Sequence, residues 1–167
     1  MKYTYIIKYT ERNDYLKNFS IYFKSILLPV VVGGIVGIII SKFIDYNNLI
    51  KPPLAPPSIL FPIIWSILYI IMGISYGILK SNSKIDMDVQ FIYYLQLFIN
   101  SLWSIFFFVF KTRLFSFFWI LLLALLVLIM IIKFYEKNKL SGLLQIPYFL
   151  WVIFASYLNL GVYLLNR

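Results

Sequence analysis

Lys51-Pro52-Pro53-Leu54-Ala55-Pro56-Pro57-Ser58-Ile59-Leu60-Phe61-Pro62 is the stretch that decides the fold. Its two Pro-Pro pairs exclude a helix, because proline lacks an amide donor and drives the residue before it towards extended geometry. Residues 51–57 therefore read as a stiff, extended lid rather than a flexible linker. Pro62 suits the first turn of a helix, where a missing N–H costs little. The helix predicted from there carries Trp65, Tyr69, Gly73 and Gly77 every fourth residue, which stacks them on one face. The lid thus feeds an aromatic helix face, and the remaining helices close a pocket against it. The plainer alternative is that the prolines only end one membrane span and begin the next.

The surrounding composition sets the solvent. The chain has 167 residues, is 62% hydrophobic, 20% aromatic and 13% charged, and has a mean hydropathy of +0.89. A soluble domain of this length has no use for so much apolar surface, so the chain belongs to the membrane class. It has neither Cys nor His, which removes disulfides, thiolate ligands, the commonest metal ligand and the commonest general base. Glu11, Asp14, Asp45, Asp86, Asp88 and Glu136 lie at or beyond the ends of the apolar runs, so no paired-carboxylate catalyst is expected. No metal or cofactor is expected either. The net charge of +9 sits in loops and termini. It suits anionic headgroups and topology control, and would also attract an anionic ligand. No folded region outside the bilayer is available to bind nucleic acid.

The apolar runs predict an all-α, five-helix transmembrane bundle, with spans near residues 25–43, 61–79, 89–110, 114–133 and 142–165. Residues 1–24 form a separate polar and aromatic tail. It reads either as an interfacial amphipathic segment or as a partly disordered one, and not as a removable signal peptide. Gly33 and Gly37 in the first span, and Gly73 and Gly77 in the second, have the spacing that allows close helix approach, most simply within one chain. The third span places Gln96, Asn100 and Trp103 on one face. An amide in hydrocarbon must find partners, so Asn100 is expected to face the bundle interior, as a structural hydrogen bond or as a ligand contact. The fourth span, apolar all round from Ile120 to Ile132, reads as the most lipid-facing helix. The fifth has Pro147 early, then Trp151, Ala155 and Asn159 on one face. Lys and Arg number about ten on the N-terminal side and about five on the other, which predicts a cytoplasmic N-terminus and an external lid.

KPPLAPPSILFPIIWSILYIIMG, QLFINSLWSIFFF and PYFLWVIFASYLN together resemble, in order and spacing, the signature segments of the TspO/MBR family. This family includes the bacterial tryptophan-rich sensory proteins and the mitochondrial translocator protein, or peripheral benzodiazepine receptor. The resemblance covers about residues 27–166. It implies a five-helix bundle in a cell membrane, often dimeric, with a ligand pocket beneath the first loop. It further implies porphyrin ligands such as protoporphyrin IX, with sterols and synthetic drugs in animal members, and photo-oxidative porphyrin degradation through pocket tryptophans in some bacterial members. The family's motif residues fall here on Trp65, on Asn100 and Trp103, and on Trp151, Ala155 and Asn159. The family's loop tryptophans are replaced by Leu54 and Ile59, which removes stacking from the lid.

The candidate ligand-binding set is Lys51, Pro52, Pro53, Phe61, Trp65, Tyr69, Gln96, Asn100, Trp103, Tyr148, Trp151, Ala155 and Asn159. Indoles offer large rigid faces to a flat apolar molecule, and offset stacking adds about 0.5–1.5 kcal/mol beyond burial. Lys51 at the rim is placed to pair with a carboxylate of such a ligand. Acid–base and nucleophilic catalysis lack their parts. The only chemistry left open is light-driven redox at an indole, for which Trp65 and Trp151 are the candidates. The alternative to catalysis is transport or sensing of a tetrapyrrole, lipid or sterol. Ion coupling is disfavoured, because no acidic residue falls within a span.

Overall fold

The computed structural model describes the backbone of residues 2–167 and the side chains of residues 16–46 and 48–167. Helix α1 is Lys2–Ser41, α2 is Leu60–Ser81, and α3 is Met87–Ser104, continued by a π-helical turn at Ile105–Val109. Helix α4 is Arg113–Lys137, and a short α5 (Lys139–Leu143) bends into α6 (Ile146–Leu165). Five stretches are long and apolar enough to cross a bilayer: Leu16–Ser41, Leu60–Ser81, Met87–Val109, Arg113–Lys137 and Lys139–Leu165. No strand occurs among the described residues. The all-α, five-helix membrane architecture is therefore correct. Local chemistry sets the ends. Asp86 caps α3 by accepting from the Val89 amide at 2.9 Å, Asn138 caps α5 by accepting from the Ser141 amide at 3.1 Å, and Pro147 stands in the first turn of α6. The amphipathic character expected of the tail rests mainly on residues 2–15, whose side chains lie outside the described set.

Helix α1 packs chiefly on α2, α2 reaches α5 and α6, α4 lies between α3 and α6, and α3 returns to α1. The spans therefore form a ring, with Tyr76, Tyr93, Trp103, Phe134 and Tyr148 buried inside it. The α1–α2 crossing depends on absent side chains. A Cβ on Gly73 would strike the backbone of Ile26, and one on Gly33 would strike the Tyr69 ring. Gly34 and Gly37 meet nothing within 4 Å, so only part of the glycine-spaced face of α1 is used inside the chain.

Two expectations need correction. The fourth span is not the lipid-facing wall. Ile120, Leu123, Val127, Met130 and Phe134 are fully buried along one stripe of α4, and 33% of its most apolar window is buried, against 11% for α1. An all-apolar sequence carries no signal for which face is inside, whereas α4 has a packed neighbour on each side and α1 chiefly one. Nor is the lid extended throughout. The Ala55 amide donates to the Pro52 carbonyl at 3.3 Å, closing a turn with Leu54 at φ 65°. This is the position at which a turn with proline before it calls for positive φ, and Leu is an unusual occupant.

Candidate functional site beneath the proline lid

Prolines offer carbonyls but no amides, so a proline-rich lid is fastened by donors from elsewhere. Tyr157 donates its hydroxyl to the Pro53 carbonyl at 2.9 Å, and Tyr46 does the same to Pro56 at 2.9 Å. Asn166 forms a reciprocal pair with Ile50. Its Oδ1 accepts from the Ile50 amide at 2.9 Å, and its Nδ2 donates to the Ile50 carbonyl at 2.8 Å. Pro52 is buried on Gly161, where a Cβ would come within 2.6 Å of the proline ring. Lys51 Nζ lies 4.7 Å from the centre of the Tyr46 ring, a cation–π contact at the rim.

Beneath the lid lies a cavity of about 80 Å³. Its apolar wall comes from Tyr46, Phe61, Trp103, Phe107, Phe108 and Ala155. Asn159 supplies the principal polar group, and both ends of its amide are fixed. Its Oδ1 accepts from Trp103 Nε1 at 3.1 Å, and its Nδ2 donates to the Arg113 carbonyl at 2.7 Å. Small Ala155 leaves the space that a larger side chain would fill. Sites for drug-sized ligands run to about 300–1,000 Å³. This cavity is smaller than such sites, so a larger guest requires its wall to move.

A second aromatic layer supports the wall. Trp65 lies 6.2 Å from Trp103, 5.6 Å from Tyr69 and 6.1 Å from Tyr148, centroid to centroid. Trp151 meets Phe61 edge-on at 6.0 Å, and its buried indole N–H has no protein partner. Deeper still, the Asn100 amide donates to the Tyr148 hydroxyl at 2.8 Å, and that hydroxyl donates to Gln96 Oε1 at 2.9 Å. Gln96 Nε2 donates to the Tyr93 carbonyl at 3.0 Å. Asn100 therefore faces the interior as expected, while its Oδ1 is left without a protein partner.

The candidate residues thus fall into layers. Lys51, Pro52 and Pro53 belong to the lid. Phe61, Trp103, Ala155 and Asn159 line the cavity. Trp65 and Trp151 back its wall, and Tyr69, Gln96, Asn100 and Tyr148 lie one layer deeper. Sequence reasoning missed Tyr46, Phe107 and Phe108. The last two lie on the π-helical turn at the end of α3, within a phenylalanine run that resembles lipid-facing surface. A π turn changes which side chains share a face and often marks a functional position. No residue pattern announced it here.

These features define an integral membrane protein of five helical spans, with a small aromatic cavity beside a fastened proline-rich loop. The sequence matches the TspO/MBR family over residues 25–165, and the chain belongs to that family. It is 34% identical over 152 residues to Protein CrtK of Rhodobacter capsulatus, covering 89% of this chain and 92% of that one. It is also 35% identical over 145 residues to Tryptophan-rich protein TspO of Archaeoglobus fulgidus, with coverage of 85% and 94%. The protein of the same name from Chlorobaculum tepidum is 36% identical over 124 residues, with coverage of 72% and 78%.

Proposed function

We propose that the cavity beneath the lid binds a flat, largely apolar aromatic molecule, a porphyrin of the protoporphyrin IX type, once lid and wall open to admit it. The observation that carries this reading is convergence. Trp103, Ala155 and Asn159, which family resemblance singles out from two separate motifs, line one cavity with Phe61, Phe107 and Phe108. Lys51 at the rim supplies a cation for a propionate. Titrating the purified protein with protoporphyrin while following its tryptophan fluorescence tests the proposal. Saturable quenching is expected in the wild type, with affinity lowered about tenfold or more in Ala155→Phe. Quenching indifferent to that substitution would remove the ligand from this site.

Light-driven degradation of the bound porphyrin is part of the same reading. Trp65 and Trp151 are the indoles that exchange an electron with the photoexcited ring, and dissolved dioxygen is the oxidant that accepts the electrons the porphyrin loses. Illuminated porphyrin decay should slow in Trp65→Phe or Trp151→Phe; unchanged decay in both leaves a binding protein without turnover. We place the chain in a cell membrane with its N-terminus in the cytoplasm, consistent with the excess of Lys and Arg on that side. The open Gly34–Gly37 face of α1 is where a second copy would pack. Cross-linking of a Gly37→Cys variant, in a chain with no native cysteine, tests that arrangement.

A further inference from the structure

A second concavity, about 340 Å³ and open to solvent, lies on the lid side of the bundle at the turn between α3 and α4. Lys111, Thr112, Arg113, Tyr163, Asn166 and Arg167 line it. Of the five basic residues on this side (Lys42, Lys51, Lys111, Arg113 and Arg167), three converge here. The one acidic side chain on this side, Asp45, accepts from Asn48 Nδ2 at 2.6 Å. Both ion pairs among the described residues, Lys133–Asp88 and Lys137–Asp86, are at the other end of the bundle. Three like charges around one cleft repel one another unless an anion sits between them.

We propose that this cleft binds the phosphate of an anionic phospholipid. A guanidinium fork and a flexible ammonium are the usual pair for phosphate oxygens, and the Tyr163 hydroxyl adds a potential donor. The lipid source follows from the rest of the wall. Leu114 and Phe115 also line the cleft, and both are exposed on the first turn of α4, where the span begins. A headgroup held by the three cations can therefore continue as an acyl chain along that apolar surface. Bound phosphate would also be felt at the cavity. Arg113 Nη1 donates to the Asn166 carbonyl at 3.4 Å, and the Arg113 carbonyl accepts from cavity-lining Asn159. Asn166 is the residue that fastens Ile50 of the lid. The inference does not depend on the porphyrin reading.

The test uses the full chain in detergent, with dihexanoyl phosphatidylglycerol, dihexanoyl phosphatidylcholine and inorganic phosphate as separate probes and the melting temperature as readout. Phosphatidylglycerol should raise the melting temperature of the wild type more than phosphatidylcholine does, and added salt should reduce the difference. Lys111→Asn with Arg167→Gln should abolish the difference; Asn is chosen because Lys111 has φ 54°. The charge-conserving pair Lys111→Arg with Arg167→Lys should retain it, which separates lost charge from misfolding. Lys84→Gln with Lys139→Gln, at the other end of the bundle, should also retain it. A difference that survives in the charge-removing pair, or disappears equally in the distant pair, would overturn the site. Inorganic phosphate protecting as well as phosphatidylglycerol would overturn the lipid assignment.

Discussion

The two ends of this bundle are built on opposite principles. At the end away from the lid, Tyr76 stacks on Tyr93 at 4.1 Å and both meet Phe134. Ser75 and Ser141 exchange hydrogen bonds, each hydroxyl donating to the other's carbonyl at 2.8 and 2.9 Å. Two ion pairs then join the start of α3 to the end of α4. At the lid end a small cavity is left, and the loop is held by hydrogen bonds and by the close seating of Pro52 on Gly161. The filled end fixes the helices relative to one another. Opening at the lid end, which the proposed function requires, would leave the contacts of the filled end in place.

The sharpest way to break this contrast is to attack the packed crossing. In Gly73→Leu the new side chain meets the Ile26 backbone, which cannot move aside as a flexible side chain would. The variant should lose about 3 kcal/mol, the upper part of the range for overpacking. Thermal unfolding in detergent, followed by far-ultraviolet circular dichroism, measures this. A stability equal to wild type would show that the α1–α2 crossing is slack and that the two ends do not differ as described.

A smaller effect is expected from unfastening the lid. Asn166→Ala removes the reciprocal pair with Ile50, whose amide and carbonyl are then free to bond water because the residue is exposed. The cost should be about 1 kcal/mol, confined to the loop. Hydrogen exchange should quicken at the Ile50 and Ala55 amides and stay unchanged at Val89. Exchange quickening equally at both ends would mean that the lid is part of the global fold rather than a separate closure.

Smaller again is the turn within the lid. Leu54 adopts φ 65° and is 82% exposed, so its side chain gives little packing in return for the strained backbone. Leu54→Gly relieves about 1 kcal/mol of left-handed strain, while glycine costs about 0.5–1 kcal/mol in chain entropy. The net gain should therefore be only a few tenths of a kcal/mol, seen as slower exchange of the Ala55 amide. A lid that loosens instead would show that Leu54 contributes packing its exposure conceals.

The difference between the ends also explains what the sequence could reveal. Span number, the inward-facing amides and the aromatic stripes were legible because the length of an apolar run counts spans, proline marks where they begin, and an amide such as that of Asn100 is costly in hydrocarbon unless it finds a partner. Tyr46, Phe107 and Phe108 were not legible, because they reach the cavity through a loop and a π-helical turn that leave no period in the residue pattern. The buried stripe of α4 was hidden for a related reason. Where every residue is apolar, only the neighbouring helices decide which side is inside. The turn at Leu54 was masked by the prolines around it, whose stiffness suggests extension although Pro53 also suits the corner of a turn.

The mildest expected effect uses acid to distinguish the ends. The Lys137 ammonium and the Val89 amide both bond Asp86 and hold its carboxyl below the ordinary aspartate range. A carboxyl with a depressed folded pKa contributes stability that is complete above its unfolded value, about 4. That stability is lost as the pH falls through the lower folded value. Between about pH 5 and pH 3, the start of α3 should therefore loosen, with faster intrinsic-rate-corrected exchange at Val89, while the Ile50 amide beneath Asn166 stays protected. Asp86→Asn keeps a capping side chain but cannot titrate, so it should flatten the response at Val89. Acid sensitivity appearing instead at Ile50, or persisting at Val89 in Asp86→Asn, would mean that the pH response does not originate in the ion-paired end.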